Sequence, residues 1–371
     1  MLEKCLNISR KIFGNRTLIL VIGILPNRPA LAKKTNQTVY EEPFDIAGGG
    51  SSLTRSTQEG VLFSNPALLP YGGNFHRWLG YKFNLLAGSE SLKFVRNSVV
   101  GNKSTETNAI ADQAFKTPIH FGTSFAFSWL TNNFGMATFY RLEPDLRARK
   151  VGENGIPELR AQNEAYAGGI GGFGARLSNW LSLGVAGKYI YKSESDNSVS
   201  ISDQEAIKNA SKGTGVGQLV SYGHGVGYDA GMLLFLKSDY LDLRVAGKID
   251  DVGGTKFTGT QDPFLQTLSA GVAITFHNNV DALHLSADIR DIKKAYGESI
   301  YKRSYMGVKL VLREHIGFAT GLYQGYPAYG AVIDLFLFRV AASYYGREYG
   351  THESIGVEAR HNYIFSFAMG F

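Results

Sequence analysis

The last nine residues, Tyr363-Ile364-Phe365-Ser366-Phe367-Ala368-Met369-Gly370-Phe371, decide the fold class. Read two at a time, they place Tyr363, Phe365, Phe367, Met369 and Phe371 on one face. Asn362, Ser366, Ala368 and Gly370 fall on the other, the pattern of a strand between two environments. A soluble core would have to fit four rings at native packing density, whereas lipid takes such a face without that constraint.

The same alternation runs back through the chain. Tyr81, Phe83 and Leu85 oppose Lys82 and Asn84; Leu181, Leu183, Val185 and Tyr189 oppose Ser182, Gly184, Ala186 and Lys188; Val226, Tyr228 and Met232 oppose Gly227, Asp229 and Gly231. Fourteen strands are predicted, at 74–86, 118–130, 134–149, 160–177, 180–193, 226–237, 240–249, 268–276, 281–290, 302–312, 315–322, 328–336, 338–346 and 360–371. Every second joint is short, as at Thr131-Asn132-Asn133 and Ser178-Asn179, and the joints between are mostly longer, as at 87–117 and 194–225. An even strand count with short turns at one end and longer loops at the other is the plan of a bacterial transmembrane barrel. The expectation is an all-β, antiparallel outer-membrane β-barrel of about 14 strands at 74–371, in contact with outer-membrane lipid. A soluble all-β secreted protein is the competing class.

The start of the chain reads as an export signal. Lys4, Arg10, Lys11 and Arg16 precede an apolar run of nine, Thr17 to Leu25, and Ala30-Leu31-Ala32 offers a cleavage site, so 1–32 is expected to be removed. Nine apolar residues are too few to span a hydrocarbon layer that needs about 20. Without them the chain keeps 33 basic against 31 acidic residues, which gives no reason to invoke nucleic acid. The single cysteine, Cys5, lies in the same segment, so neither a disulfide framework nor thiol chemistry is expected beyond it.

Residues 41–73 do not alternate, and 33–73 is expected to be an N-terminal periplasmic or hatch segment ahead of the barrel. Gly48-Gly49-Gly50 forms a turn that lacks the Lys-Ser/Thr pair of a phosphate loop. Gly60 to Leu69 is apolar and is interrupted at Asn65-Pro66, where a break or a new helix start is expected. This glycine turn, followed by Gly60-Val61-Leu62-Phe63-Ser64-Asn65-Pro66-Ala67-Leu68-Leu69 ahead of the first strand, resembles the long-chain fatty-acid transporter superfamily (FadL/TodX type). It also resembles the related TraF-like conjugal-transfer barrels. The resemblance implies fourteen strands around an N-terminal hatch, with hydrophobic compounds passing laterally through the wall. The terminal strand Tyr363 to Phe371 likewise resembles the signal read by the outer-membrane barrel assembly machinery.

The chemistry-bearing residues sort into sets. Phe63, Leu68 and Leu69, with Leu92, Phe94 and Val95 as an outer lid, are the apolar candidates for a hydrophobic ligand, and Arg141 or Arg339 for its carboxylate headgroup. Gly48, Gly49, Gly50, Asn65 and Pro66 are the candidate gating positions. Lys82, Lys188, Asp229, Asp242, Arg244, Lys248, Asp288, Arg290, Lys309, Asp334, Arg141 and Arg339 fall on the polar face. There Asp242/Arg244 and Asp288/Arg290 repeat an acid–base pair two residues apart, and these charges are expected to pair across the interior and against the N-terminal hatch. A helix is expected at Glu106 to Phe115. His120, Ser124 and His284 complete no catalytic triad, the histidines are scattered, and no metal, cofactor or enzymatic activity is expected. Two functions follow: passive outer-membrane transport of hydrophobic or amphipathic small molecules, and a structural barrel that scaffolds an envelope or secretion assembly.

Overall fold

The computed structural model describes residues 39–71, 79–96, 119–151, 156–200, 221–259, 261–278, 281–348 and 359–370. The expectations for the export segment, the helix at 106–115 and the terminal Phe371 lie outside these residues.

Fourteen antiparallel strands close into one barrel in which every strand pairs with its sequence neighbours and β1 pairs with β14. They are β1 (Leu79–Gly88), β2 (Ile119–Leu130), β3 (Phe134–Val151), β4 (Ile156–Arg176), β5 (Leu181–Ser200), β6 (Ser221–Lys237), β7 (Leu241–Asp250), β8 (Thr267–His277), β9 (Ala282–Ile289), β10 (Ser304–Leu312), β11 (Ile316–Tyr323), β12 (Tyr326–Leu335), β13 (Phe338–Glu348) and β14 (Ala359–Gly370). Closure runs through nine residue pairs, from Gly80 opposite Gly370 to Gly88 opposite Asn362. No strand edge is therefore left unpaired, which is what hydrocarbon demands of a backbone.

The faces fall as the alternation requires. In β14, Tyr363, Phe365, Phe367 and Met369 point outward and are exposed, while Asn362, Ser366 and Ala368 are buried inside. Ile364 joins them on the inner face and packs against Leu86 and Tyr345. The outer surface carries aromatic and aliphatic residues around the circumference, among them Tyr81, Phe125, Phe173, Tyr228, Phe318 and Tyr329.

Two expectations about strands and joints need correction. Strands β3 to β6 are 18, 21, 20 and 17 residues long; β3 and β4 end close to the expected 149 and 160, while β5 and β6 run past 193 and 226, to 200 and 221. Their extensions are rich in charged and small polar residues, which obscure the alternation, yet ladder hydrogen bonds do not depend on side-chain polarity. Second, β11 and β12 are joined by two residues, Gln324-Gly325, both at positive φ (53° and 82°), so this joint is a tight hairpin instead of a loop. The remaining connection between β7 and β8 folds inward, with bridges from Phe257 to Gly225 and from Phe264 to Thr255.

The N-terminal segment 39–71 packs against the inner face of the wall. It comprises α1 (Pro43–Ala47), α2 (Gly60–Ser64) and a 3-10 turn at Pro66–Tyr71, so the break expected at Asn65-Pro66 occurs there. A further helix, α3 (Ser89–Val95), follows β1 where loop was expected, and a fourth, α4 (Ile300–Arg303), leads into β10. Val61, Leu62, Leu68 and Leu69 are buried with Leu130, Ile170 and Leu233 of the wall. At about 25 cal/mol per Å² of apolar surface removed from water, each such side chain contributes roughly 1.5–3 kcal/mol to holding the segment inside.

Candidate functional site

The segment meets the wall at glycines. The Asn65-Pro66 break sits over β4, β5 and β6, where a Cβ on Gly231 would lie 2.0 Å from Asn65 Oδ1 and one on Gly184 2.3 Å from the Pro66 carbonyl carbon. Asn65 Nδ2 donates to the carbonyls of Leu53 (3.0 Å) and Met232 (3.2 Å), and its Oδ1 accepts from the Ala67 amide (3.0 Å). Asparagine thus satisfies both chains at once, which explains its place ahead of the proline. The Gly48-Gly49-Gly50 turn is seated likewise on β10 and β11. Gly49 and Gly50 take positive φ (73° and 77°), and a Cβ on Gly49 would lie 2.0 Å from the Met306 carbonyl oxygen.

Buried charge is matched across the same contact. The Lys82 ammonium binds Glu42 and, at 2.8 Å, Glu59, and Tyr40 Oη donates to Glu59. Burial raises the Glu42 pKa and outweighs the opposing pull of Lys82. For Glu59 burial is overcome by the Lys82 charge and by hydrogen bonds from Lys82 and Tyr40, and its carboxyl is held below the ordinary range. Lys309 binds Asp45 at 2.5 Å, and Arg141 contacts Glu143 (2.5 Å) and Glu41 (3.7 Å). Lys188 bridges Asp229 (2.8 Å) and Asp251 (3.0 Å), while Lys248 reaches Asp250 (2.5 Å), Asp229 (3.6 Å) and the Phe63 carbonyl (2.5 Å).

The two acid–base repeats turn mainly to the N-terminal segment and not to each other. Asp288 Oδ2 accepts the amides of Ser52 (2.6 Å) and Leu53 (2.9 Å), while Arg290 donates to the Gly50 carbonyl (2.6 Å) and stacks 4.3 Å from the Tyr305 ring. Asp242 faces His277 (3.2 Å), and Arg244 donates to the Thr54 carbonyl (3.3 Å) and lies 4.7 Å from the Phe235 ring. Three of the four side chains bind backbone of the N-terminal segment, because its turns present amides and carbonyls without helical or ladder partners.

Between segment and wall lies a cavity of about 110 Å³, bordered by Tyr40, Phe63, Asp229, Asp251, Phe264 and Tyr323 among others. Of the apolar candidates Phe63 borders it, stacked on Tyr40 with ring centroids 4.6 Å apart, whereas Leu68 and Leu69 are packed into the core. Arg141 lies beside a separate space of about 30 Å³ and Arg339 beside one of about 40 Å³. Asp334 stands opposite Arg339 in the β12–β13 register. Leu92 is exposed on α3, and the Phe94 and Val95 side chains lie outside the described residues. His120 and Ser124 form no pair: Ser124 Oγ accepts from Asn84 Nδ2 (2.9 Å), and the His120 amide donates to Ser91 Oγ (2.7 Å). Among the described residues no cluster of three or more His, Cys, Asp or Glu side chains suits a metal ion.

Sequence reasoning missed Tyr40, Glu42, Glu59, Phe257 and Phe264. The carboxylates carried one signal: they are two of four acids, with Glu41 and Asp45, in a short segment that precedes a strand wall with basic residues on its polar face. The phenylalanines carried none, because the inward fold of the 251–266 connection depends on bridges outside any strand pattern.

One wall ladder is interrupted. Between β2 and β3 the pairs Ile119–Leu146 and His120–Asp145 are followed by Thr123–Leu142 in the same register, so Phe121-Gly122 and Glu143-Pro144 are unladdered to each other while Phe121-Gly122 stays laddered to β1 and Glu143-Pro144 to β4. Pro144 has no N–H to donate. The small cavity beside Arg141 lies just inside, lined by Leu86, Thr123 and Glu143.

No protein-family model matches the sequence, and no curated protein matches it. Solved structures do. The Ralstonia pickettii toluene transporter TbuX superposes with a TM-score of 0.52 at 11% identity, covering 91% of this chain and all of that one. The P. putida toluene transporter TodX gives 0.48 at 10% identity, covering 90% and 99%. At such identity the TbuX likeness shows a shared fold.

Proposed function

We propose that the chain is an outer-membrane channel for passive passage of hydrophobic or amphipathic small molecules, with residues 39–71 as its hatch and the β2–β3 interruption as a lateral exit. The observation that carries this reading is that interruption, set in an otherwise closed ladder and backed by a cavity. The outward aromatic face suits lipid, and the TbuX-like fold agrees with the reading. In this proposal the short turns lie in the periplasm, 1–32 is an export signal, and the β14 face engages the barrel assembly machinery. Phe63 is the ligand contact next to the cavity, and Gly48 to Gly50 with Asn65-Pro66 are the points about which the hatch is held.

The experiment is uptake of a labelled hydrophobic compound into vesicles carrying the full chain, with and without a Gly122→Cys/Glu143→Cys disulfide across the gap. Reduction-reversible loss of uptake is expected, as is loss on deleting 41–73. The second reading, a scaffold barrel without transport, is favoured by the tightly filled interior. Uptake no greater than that of vesicles lacking the protein would select it.

A further inference from the structure

The cavity beside Arg339 lies at the short-turn end, between the N-terminal segment and strands β9 to β13. Phe44, Val311, Ile316 and Val332 form an apolar side, while Arg55, His284 and Arg339 form a cationic or polar one. Among the described residues, neither guanidinium has a carboxylate within ion-pair distance. Arg55 donates to His284 Nδ1 (3.2 Å), and Arg339 donates to Thr57 Oγ1 (3.2 Å) and lies 5.9 Å from the Phe44 ring. The nearby carboxylates are otherwise engaged. Asp45 binds Lys309 (2.5 Å) and Ser56 Oγ (2.6 Å), and Asp334 and Glu314, which complete the lining, have contacts of their own.

Two polar atoms on this wall are buried without a hydrogen-bond partner, Arg339 Nε and His284 Nε2, in residues 5% and 3% exposed. A guanidinium only donates, so His284 Nδ1 is the acceptor toward Arg55 and the ring proton sits on Nε2. Both orphan atoms are therefore donors. Burying donors unpaired is costly, although Asp45 and Asp242 act at longer range on Arg55 and Glu42 does on Arg339. An apolar guest would leave the donors unmet, and a cation cannot accept from them. A small anionic acceptor would meet both donors. The space holds only a few water-sized groups, and its apolar side suits an alkyl substituent better than a hydrated phosphate oxygen.

We propose that this cavity binds a small organic carboxylate of formate or acetate size, held by Arg339, His284 and Arg55, which ties the N-terminal segment to β9 and β13. The proposal is independent of what passes through the barrel.

Equilibrium dialysis of the folded full chain in detergent against labelled acetate, at fixed pH and ionic strength, tests it. Saturable binding of one acetate per chain is expected, displaced by formate and not by chloride. Loss of a charge-assisted hydrogen bond in Arg339→Gln should weaken binding about tenfold or more. Arg55→Gln gives an independent second variant, and the heat-dependent gel shift of a folded barrel checks both. Absence of saturable acetate binding, equal displacement by chloride, preference for phosphate, or unchanged binding in both folded variants would each overturn the assignment.

Discussion

Lys82 holds two carboxylates of the N-terminal segment in a site closed to water, and the two respond to protons in opposite directions. Glu42 has a raised pKa, so its contribution to holding the segment is present at low pH and lost as pH rises through that value. Glu59 has a depressed pKa, so its contribution is present above the ordinary carboxylate range and lost on acidification. Glu42→Gln is therefore expected to be tolerated and Glu59→Gln to loosen the segment, read as hydrogen exchange of residues 39–71 at neutral pH. Lys82→Met leaves both carboxylates without their ammonium and should cost about 3–5 kcal/mol in the same assay. Little of this was legible in sequence. Lys82 was placed on the inner face by its alternation with Tyr81 and Phe83, but a partner 40 residues away follows from how the segment folds back. Asp242 and Arg244 show the converse: their spacing suggested a pair, yet a backbone with unpaired carbonyls competes for the guanidinium and wins.

At the scale of elements, strand identity and facing were readable because period-two alternation records lipid on one side and polar contacts on the other. Strand length was not. The upper parts of β4 and β5 carry residues such as Glu158, Glu194 and Asp196, which read as loop although the ladder continues through them. The Gln324-Gly325 turn was hidden for a related reason, since Tyr326-Pro327 reads as a strand breaker and Pro327 is instead accommodated at the start of β12. Within β3, Pro144→Val would restore the missing donor. It is expected to close the ladder and lower uptake in vesicles while leaving the barrel as stable or more so. In the N-terminal segment, Leu62→Ala or Leu69→Ala removes a fully buried side chain and should weaken docking by about 2–5 kcal/mol, visible as faster proteolysis of the segment.

For the whole molecule the outer face sets the rule. A charge at the bilayer midplane on a lipid-facing position costs about 2–4 kcal/mol in such barrels, so Phe365→Arg should lower stability by that order in a vesicle unfolding titration. Ser366→Ala, its inward neighbour, should leave stability nearly unchanged. The closed arrangement was foreseeable from the even strand number, because the first and last strands then run antiparallel and can pair, as Phe83 and Phe367 do. How full the interior is was not foreseeable, because volume depends on how much of the chain turns back into it.

The glycine seats impose an order in time. The contacts of Gly48 to Pro66 are made with positions 174, 184, 231, 307 and 321, contributed by five separate strands. The part of the chain synthesised early thus finds its last seats only after most of the wall has been made. Until then its apolar residues have nowhere to rest, and a helper that shields them, or insertion of strands in quick succession, is needed to keep the precursor from aggregating.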